Sequence, residues 1–310
     1  MRLDLDAVEA LDAVIDSGGI ARAAERLHKV PSAVSYQVRR LEEQLGVQML
    51  DRDGYRLRLT PAGEAVLAEG RRLLAEARQV EALARQFAEG WEPRLLVIVD
   101  GILPMEPALA AFRTLAEERV PTRIQLKVEF QHGVQFCFER DQADLMLVKN
   151  YDARPYLRTE DLPEVECVLC VAPGHALAGL AAAQLGDLQD HVELSVQDSS
   201  GRRDDPHGFG GERVFYLSGF DAKRQALLMG VGFGWMPLNL IADDLKAGRL
   251  CELRYAGGSR YRFTPKLVQR TDTPPGRAGT RLVQLLREAA RAGNRSQRGP
   301  AKASRPGKTR

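Results

Sequence analysis

The chain has 310 residues, 44% hydrophobic and 28% charged, with a formal net charge of +2. That is ordinary globular usage, long enough for about two domains, and it gives no general attraction for nucleic acid, so any such contact has to be local. No run of about 18 apolar residues occurs, which argues against a membrane span, and the acidic, amphipathic start MRLDLDAVEALDAVID is unlike a secretory signal, so a cytoplasmic location is expected.

The first predicted helix covers about residues 5–16. Ile20, Ala23, Ala24 and Leu27 give a second helix an apolar stripe, with alanines that allow close approach. Only His28, Lys29 and Val30 separate it from a third. Pro31 suits a first helical position and Gly46 a left-handed stop. Between them Val34, Val38, Leu41 and Leu45 fall on one face. Ser32, Ser35, Tyr36, Arg39 and Arg40 lie mostly away from it. Short helices joined by a tight turn predict a helix-turn-helix, whose second helix enters the major groove. The basic groups here are offset by Asp4, Asp6, Glu9, Asp12 and Asp16 in the first helix.

Asp53-Gly54 is a hairpin signal, and beyond it Leu57 and Leu59 alternate with Arg56 and Arg58. A hairpin at this place makes a winged helix-turn-helix, with Arg52, Arg56 and Arg58 set to touch phosphates. Thr60 then caps a helix that has Pro61 in its first turn and runs to about Gly90. Val66, Leu73, Val80 and Phe87 recur every seven residues, a coiled-coil spacing, with a small-residue row at Gly70, Ala77 and Ala84. A helix of about 28 residues is roughly 42 Å long, enough to hold two reading heads apart. The other reading of the stripe is packing on its own domain.

Trp91-Glu92-Pro93 marks a hinge. RLLVIVDGILP, TRIQLKVEF and ADLMLVKN read as strands, separated by the helical stretches MEPALAAFRTLAEE and GVQFCFERDQ. VECVLCVAPGH, VELSVQD and RVFYLSGF continue the strand signals, DAKRQALLMGVGFGWMP reads as helix then strand, RYRFTPKLVQRTD returns the chain, and PGRAGTRLVQLLREAARAG closes it with a helix. Alternating strands and helices imply mainly parallel α/β sheets.

No catalytic constellation emerges. GVGFGW lacks the context of a dinucleotide loop. DSSGRRDD with nearby His207 has no nucleophile elbow, and His175 sits in a turn between strand and helix. Of the four cysteines, Cys167 and Cys170 form a CxxC, but on a strand residues three apart point to opposite faces. No metal site, cofactor or enzyme activity is expected. The final GNRSQRGPAKASRPGKTR is basic and without core-forming residues, so a disordered tail is predicted from 294 to 310, with an auxiliary DNA contact as a lesser reading.

AAERLH, SAVSYQVRRLEEQLGV, DRDGYRLRLTPAGE and the long helix after them, in this order and with these gaps, resemble the head and linker helix of LysR-type transcriptional regulators across residues 5–90. The rest resembles the family more loosely to about residue 290. There are three departures: Gly19 and Ala21 stand where the family often has hydroxyl residues, Pro31-Ser32 stands for the usual Gln-Pro, and Tyr36 replaces a frequent arginine. Phosphate contacts and base choice are therefore expected to differ from the commonest pattern.

The resemblance implies an α and α/β protein: a winged helix-turn-helix at 1–60, a linker and dimerisation helix at 61–90, and a two-lobed effector domain at 91–293, similar to periplasmic binding proteins. One lobe would use about 92–165 and 265–292, the other 166–264. Positions just after the strands, where such sheets bind ligands, nominate Asp100, Gly101, Ile102, Leu103, Gln131, Gly133, Val134, Lys149, Asp198, Ser199, Ser200 and Phe220 for a small-molecule effector. Many relatives carry a hydroxyl near Asp100 that helps hold an anion. A carboxylate repels one, so a neutral or cationic effector is expected, unless Lys149 offsets the charge. The alternative is that Asp100 caps the following helix. Implied partners are double-stranded DNA, the effector, a second copy as homodimer or homotetramer, and RNA polymerase, with no membrane. The competing reading is an architectural DNA-binding protein whose α/β half only assembles subunits.

Overall fold

The computed structural model describes residues 3–51, 57–201 and 206–297, with side chains to 292. The chain divides into two compact units at Glu89–Gly90.

In the first unit, α1 (Leu5–Ser17) starts on Asp4, whose side chain accepts from the Asp6 N–H, and stops at left-handed Gly18. α2 (Ile20–Arg26) and α3 (Pro31–Leu45) follow, joined through His28 at φ 53°. Ala7, Val8, Leu11 and Val14 of α1, Ala23 and Ala24 of α2, and Val34, Val38 and Leu41 of α3 form one buried cluster. A two-stranded wing, β1 (Leu50–Asp51) with β2 (Arg58–Leu59), is antiparallel and tied to α3, because Glu42 accepts from the N–H groups of Met49 and Leu50. The turn expected at Asp53-Gly54 lies outside the described residues.

α4 (Pro61–Ala88) is capped by Thr60, whose Oγ1 accepts from the Gly63 N–H at 3.0 Å. Its first half belongs to the head. Leu67 and Leu74 enter the core, and Arg71 reaches Asp12 and Asp16 at 2.6 and 2.7 Å. Glycine is required twice here: a Cβ on Gly63 would stand 2.3 Å from the Met49 carbonyl oxygen, and one on Gly70 2.6 Å from Val8. The small-residue row thus begins as a packing device for α1.

In the second unit the first sheet has the order β4-β3-β5-β13-β6. β3 (Arg94–Asp100) is parallel to β4 (Arg123–Glu129) and β5 (Leu145–Val148), while β13 (Lys266–Arg270) runs against β5 and β6 (Leu157–Asp161). α5 (Glu106–Glu117), α6 (Gly133–Arg140) and α10 (Arg277–Gln297) complete this lobe. In the second sheet, β7 (Val165–Val171) is antiparallel to β10 (Phe233–Pro237), β11 (Cys251–Glu252) and β12 (Arg260–Phe263). β10 continues in parallel to β8 (Glu193–Val196), and β8 to β9 (Val214–Leu217). α7 (Leu185–Gln189), α8 (Phe220–Leu228) and α9 (Leu238–Lys246) belong to this second lobe.

The sheets are more mixed than the expected mainly parallel pattern. The chain crosses between lobes at 162–164 and at Thr264-Pro265, and the two passages touch through Leu162 N–H and Pro265 O at 2.8 Å. Both passages lie on the side where β3 and β5 end. β7 and β13 therefore start at the cleft and run away from it, against their neighbours. RYRFTPKLVQRTD is not one returning segment but two strands, β12 and β13, in different lobes. β6, α7, α9 and β11 have no counterpart among the elements expected from the sequence. α10 extends to Gln297, four residues into the expected tail, and the remainder of that stretch, 298–310, lies outside the described residues.

Candidate functional site

Two separate places bring the nominated residues together. The first is the outer face of α3. Pro31, Ser32, Tyr36, Arg39 and Arg40 are exposed, opposite the buried Val34, Val38 and Leu41. Ser35 sits half-buried on the flank, where its Oγ accepts from Arg39 Nη2 at 3.1 Å. Arg58 is exposed on the wing. Arg52 and Arg56 lie outside the described residues. On the far side of the head, Asp12 and Asp16 are engaged by Arg71, and Asp16 also by Arg26, so part of the acidic charge of α1 is consumed locally.

Further along α4, Leu73, Val80 and Phe87 are exposed, Val80 by 67% and Phe87 by 60%, while Val66 packs against the head core. The seven-residue row thus leaves its own domain after Val66.

The second place is a cavity of about 370 Å³ between the two lobes. From the first lobe come Asp100, Ile102, Phe130, Gln131, His132 and Lys149; from the second come Glu193, Ser195, His207, Phe220, Lys223, Trp235 and Tyr261, among others. Phe130 and Phe220 meet edge to face at 5.9 Å, and His207 stacks on Tyr261 at 3.8 Å. Lys149 donates to the Tyr261 hydroxyl at 3.0 Å and rests over the rings of Tyr261 and Phe263. Cation–π contact and hydrogen bond together fix that ammonium at the wall.

Asp100 ends β3 at 2% exposure. Its carboxyl accepts from the N–H groups of Ile102 at 3.2 Å and Lys149 at 3.4 Å. Burial pushes it up to about 7; those two N–H bonds and the Lys149 charge pull the other way but do not prevail. It caps the turn at 101–103 rather than α5, whose N-cap is Met105.

Of the nominated effector residues, Asp100, Ile102, Gln131, Lys149 and Phe220 line the cavity. The others do not. Gly101 backs onto Phe130, whose ring would be 2.3 Å from a Cβ there. Leu103 and Val134 are buried in core clusters. Gly133 faces the Asp198-Ser199 backbone, with Ser199 N 2.9 Å from a would-be Cβ. Ser199 bridges the lobes instead, donating to the Glu129 carboxylate at 2.8 and 2.9 Å. Ser200 closes a local turn on Asp198, which lines a separate polar cavity. These residues follow the strands in sequence but turn away from the opening.

The missed lining residues carried a faint signal. VELSV places a glutamate and a serine inside an otherwise apolar strand, and both prove buried and cavity-facing. Nothing marked Lys223 or Tyr261, which come from a helix and a strand far apart in sequence. Cys167 and Cys170 are free and buried on β7, and burial pushes Cys170 up to about 12. Among the described residues no group of His, Cys, Asp and Glu is arranged to hold a metal.

Known proteins match both units of the chain. The model of the bacterial regulatory helix-turn-helix protein, lysR family, matches residues 5–64, and that of the LysR substrate binding domain matches 96–291. The chain is 28% identical over 265 residues to the probable HTH-type transcriptional regulator YhaJ of Escherichia coli, covering 80% of this chain and 85% of that protein. It is 28% identical over 299 residues to the regulator CbbR of Cereibacter sphaeroides, covering 91% and 94%. The fold is similar to that of the Corynebacterium glutamicum OxyR C206 mutant, with a TM-score of 0.65 at 18% identity over 98% of this chain and 99% of that one. The chain belongs to the LysR family and is a DNA-binding transcriptional regulator with an effector-binding domain.

Proposed function

We propose that this regulator answers a small molecule held in the interlobe cavity, and that binding changes how paired heads engage spaced operator sites. The observation that carries this reading is a cavity whose walls come from both lobes. A ligand touching both interacts differently with open and closed lobes, which is the condition for shifting an equilibrium. Asp100 at the cavity wall, once ionised, favours a neutral or cationic effector over an anion, except where Lys149 offsets it. Ser32, Ser35, Tyr36 and Arg39 face the base edges, and Arg40 with the wing arginines Arg52, Arg56 and Arg58 contacts phosphate. The exposed row of α4 pairs with a second copy, in a homodimer or homotetramer. RNA polymerase is taken as a further partner and the cytoplasm as the location; no cofactor and no catalytic role are assigned.

A thermal-shift screen of neutral, cationic and carboxylate compounds, followed by footprinting with each hit, tests the reading. A hit should change the length of the footprint, and Tyr261→Ala should abolish the change while leaving ligand-free DNA binding intact. Hits that stabilise the chain with no change in the footprint refute the coupling, and would return the architectural alternative. Stabilisation by simple carboxylates alone refutes the effector class.

A further inference from the structure

The outward face of α3 carries its positive charge late in the helix. Its first eight residues, PSAVSYQV, contain no ionisable acid or base of ordinary pH, and the guanidiniums arrive only at Arg39 and Arg40. In a helix-turn-helix the early residues of the second helix meet the base edges. The largest side chain there is Tyr36, one turn from Ser32 and one turn from Arg40 on the exposed face. It is 62% exposed, and among the described residues no hydrogen bond or ring contact engages it. Arg39, its neighbour in space, is drawn to the helix flank by Ser35 Oγ. The first two turns of α3, ahead of Arg39, therefore present a ring and hydroxyls rather than a guanidinium fork.

The major groove offers one apolar group to such a surface, the 5-methyl of thymine, while guanine and adenine offer acceptors suited to Arg or Asn. We propose that Tyr36 reads thymine, its ring packing on the 5-methyl group of one thymine in each operator half-site. This rests on α3 being the base-reading element.

The test uses the full chain and duplexes selected by it from a random-sequence pool at fixed salt, since phosphate contacts make affinity salt-dependent. Each thymine of the selected half-site is then replaced by deoxyuridine, which lacks only the methyl. One position per half-site should weaken binding about fourfold, the effect of uncovering one methyl group, and both half-sites together roughly fifteenfold. Tyr36→Phe should keep that sensitivity. Tyr36→Ala, an exposed change that leaves the thermal unfolding curve in place, should bind thymine and deoxyuridine duplexes alike. Deoxyuridine tolerated at every position overturns the proposal, as does sensitivity surviving in Tyr36→Ala. Loss of affinity by Tyr36→Phe on all sequences equally recasts the residue as a phosphate contact through its hydroxyl. A selection that returns no preferred sequence fails earlier: it removes base reading by α3 itself, and the proposal with it.

Discussion

Replacing Asp100 with Asn should gain stability on the parent chain as the pH rises from 4 to 8. The carboxyl is pushed up to about 7 in the fold from an ordinary value of 3.8, mainly by burial. Between these two values the unfolded chain has lost the proton and the folded chain keeps it. The folded state then binds more protons, so stability falls as pH rises through the window and the loss is complete above pH 7. Roughly three pH units at about 1.36 kcal/mol each give a penalty on the order of 4 kcal/mol. Asn carries no charge and escapes it, though it cannot accept from both the Ile102 and Lys149 N–H groups, a cost of about 1–3 kcal/mol that does not vary with pH. The quantity to follow is therefore the difference between variant and parent across pH, in which other titrating groups cancel. Scanning calorimetry of the full chain at pH 4, 6 and 8 should show the effector-unit transition of Asp100→Asn gaining on the parent by about 10 °C over that range. A difference that stays flat means Asp100 is ionised throughout, and the burial argument fails.

Ser199→Ala removes the hydroxyl that joins the second lobe to the buried Glu129 carboxylate, an interaction worth about 1–2 kcal/mol for a charge-assisted bond at an exposed donor. Small-angle scattering of the ligand-free chain should report wider lobes; an unchanged curve means the contact does not hold them. Val80→Glu with Phe87→Glu places charge in the exposed row of α4 and should lower the mass in sedimentation velocity with helix content unchanged. An undiminished oligomer assigns assembly to another surface.

The head was legible almost to the residue because its signals are local. Pro31 and Gly46 bound α3 by backbone conformation alone, Thr60-Pro61 start α4, and the four-residue spacing of Val34 and Val38 names the buried face. The same locality explains what was lost in the effector unit. Ser199 and Ser200 follow β8 as expected, yet the loop turns its hydroxyls to Glu129 and Asp198, and only the approach to Gly133 from the other lobe explains why. Tyr261 lies on a short strand with alternating arginines, and its partners in the cavity wall, Lys149 and His207, are distant in sequence. Periodicity reports which face of a strand is buried, not what it is buried against.

Glu92 shows how far that distinction reaches. In sequence it belonged to a hinge. In the structure its carboxylate accepts from the N–H groups of Ala278 and Gly279 at 3.0 and 2.7 Å, at the start of α10. Trp91 stacks under Arg277 at 4.4 Å, and the Gly90 carbonyl accepts from the Arg277 N–H. A carboxylate at a helix N-terminus satisfies unpaired N–H groups and matches the helix dipole. A Cβ on Gly276 would lie 2.4 Å from that same carboxylate, so the close approach depends on glycine there. Residues 90–92, just past the Glu89 cap of α4, are thus fastened to the chain's last helix, which itself packs on the first lobe through Leu282 and Leu286. The chain does not enter the effector unit on a free tether. Whatever displaces α10 within its lobe also displaces Gly90.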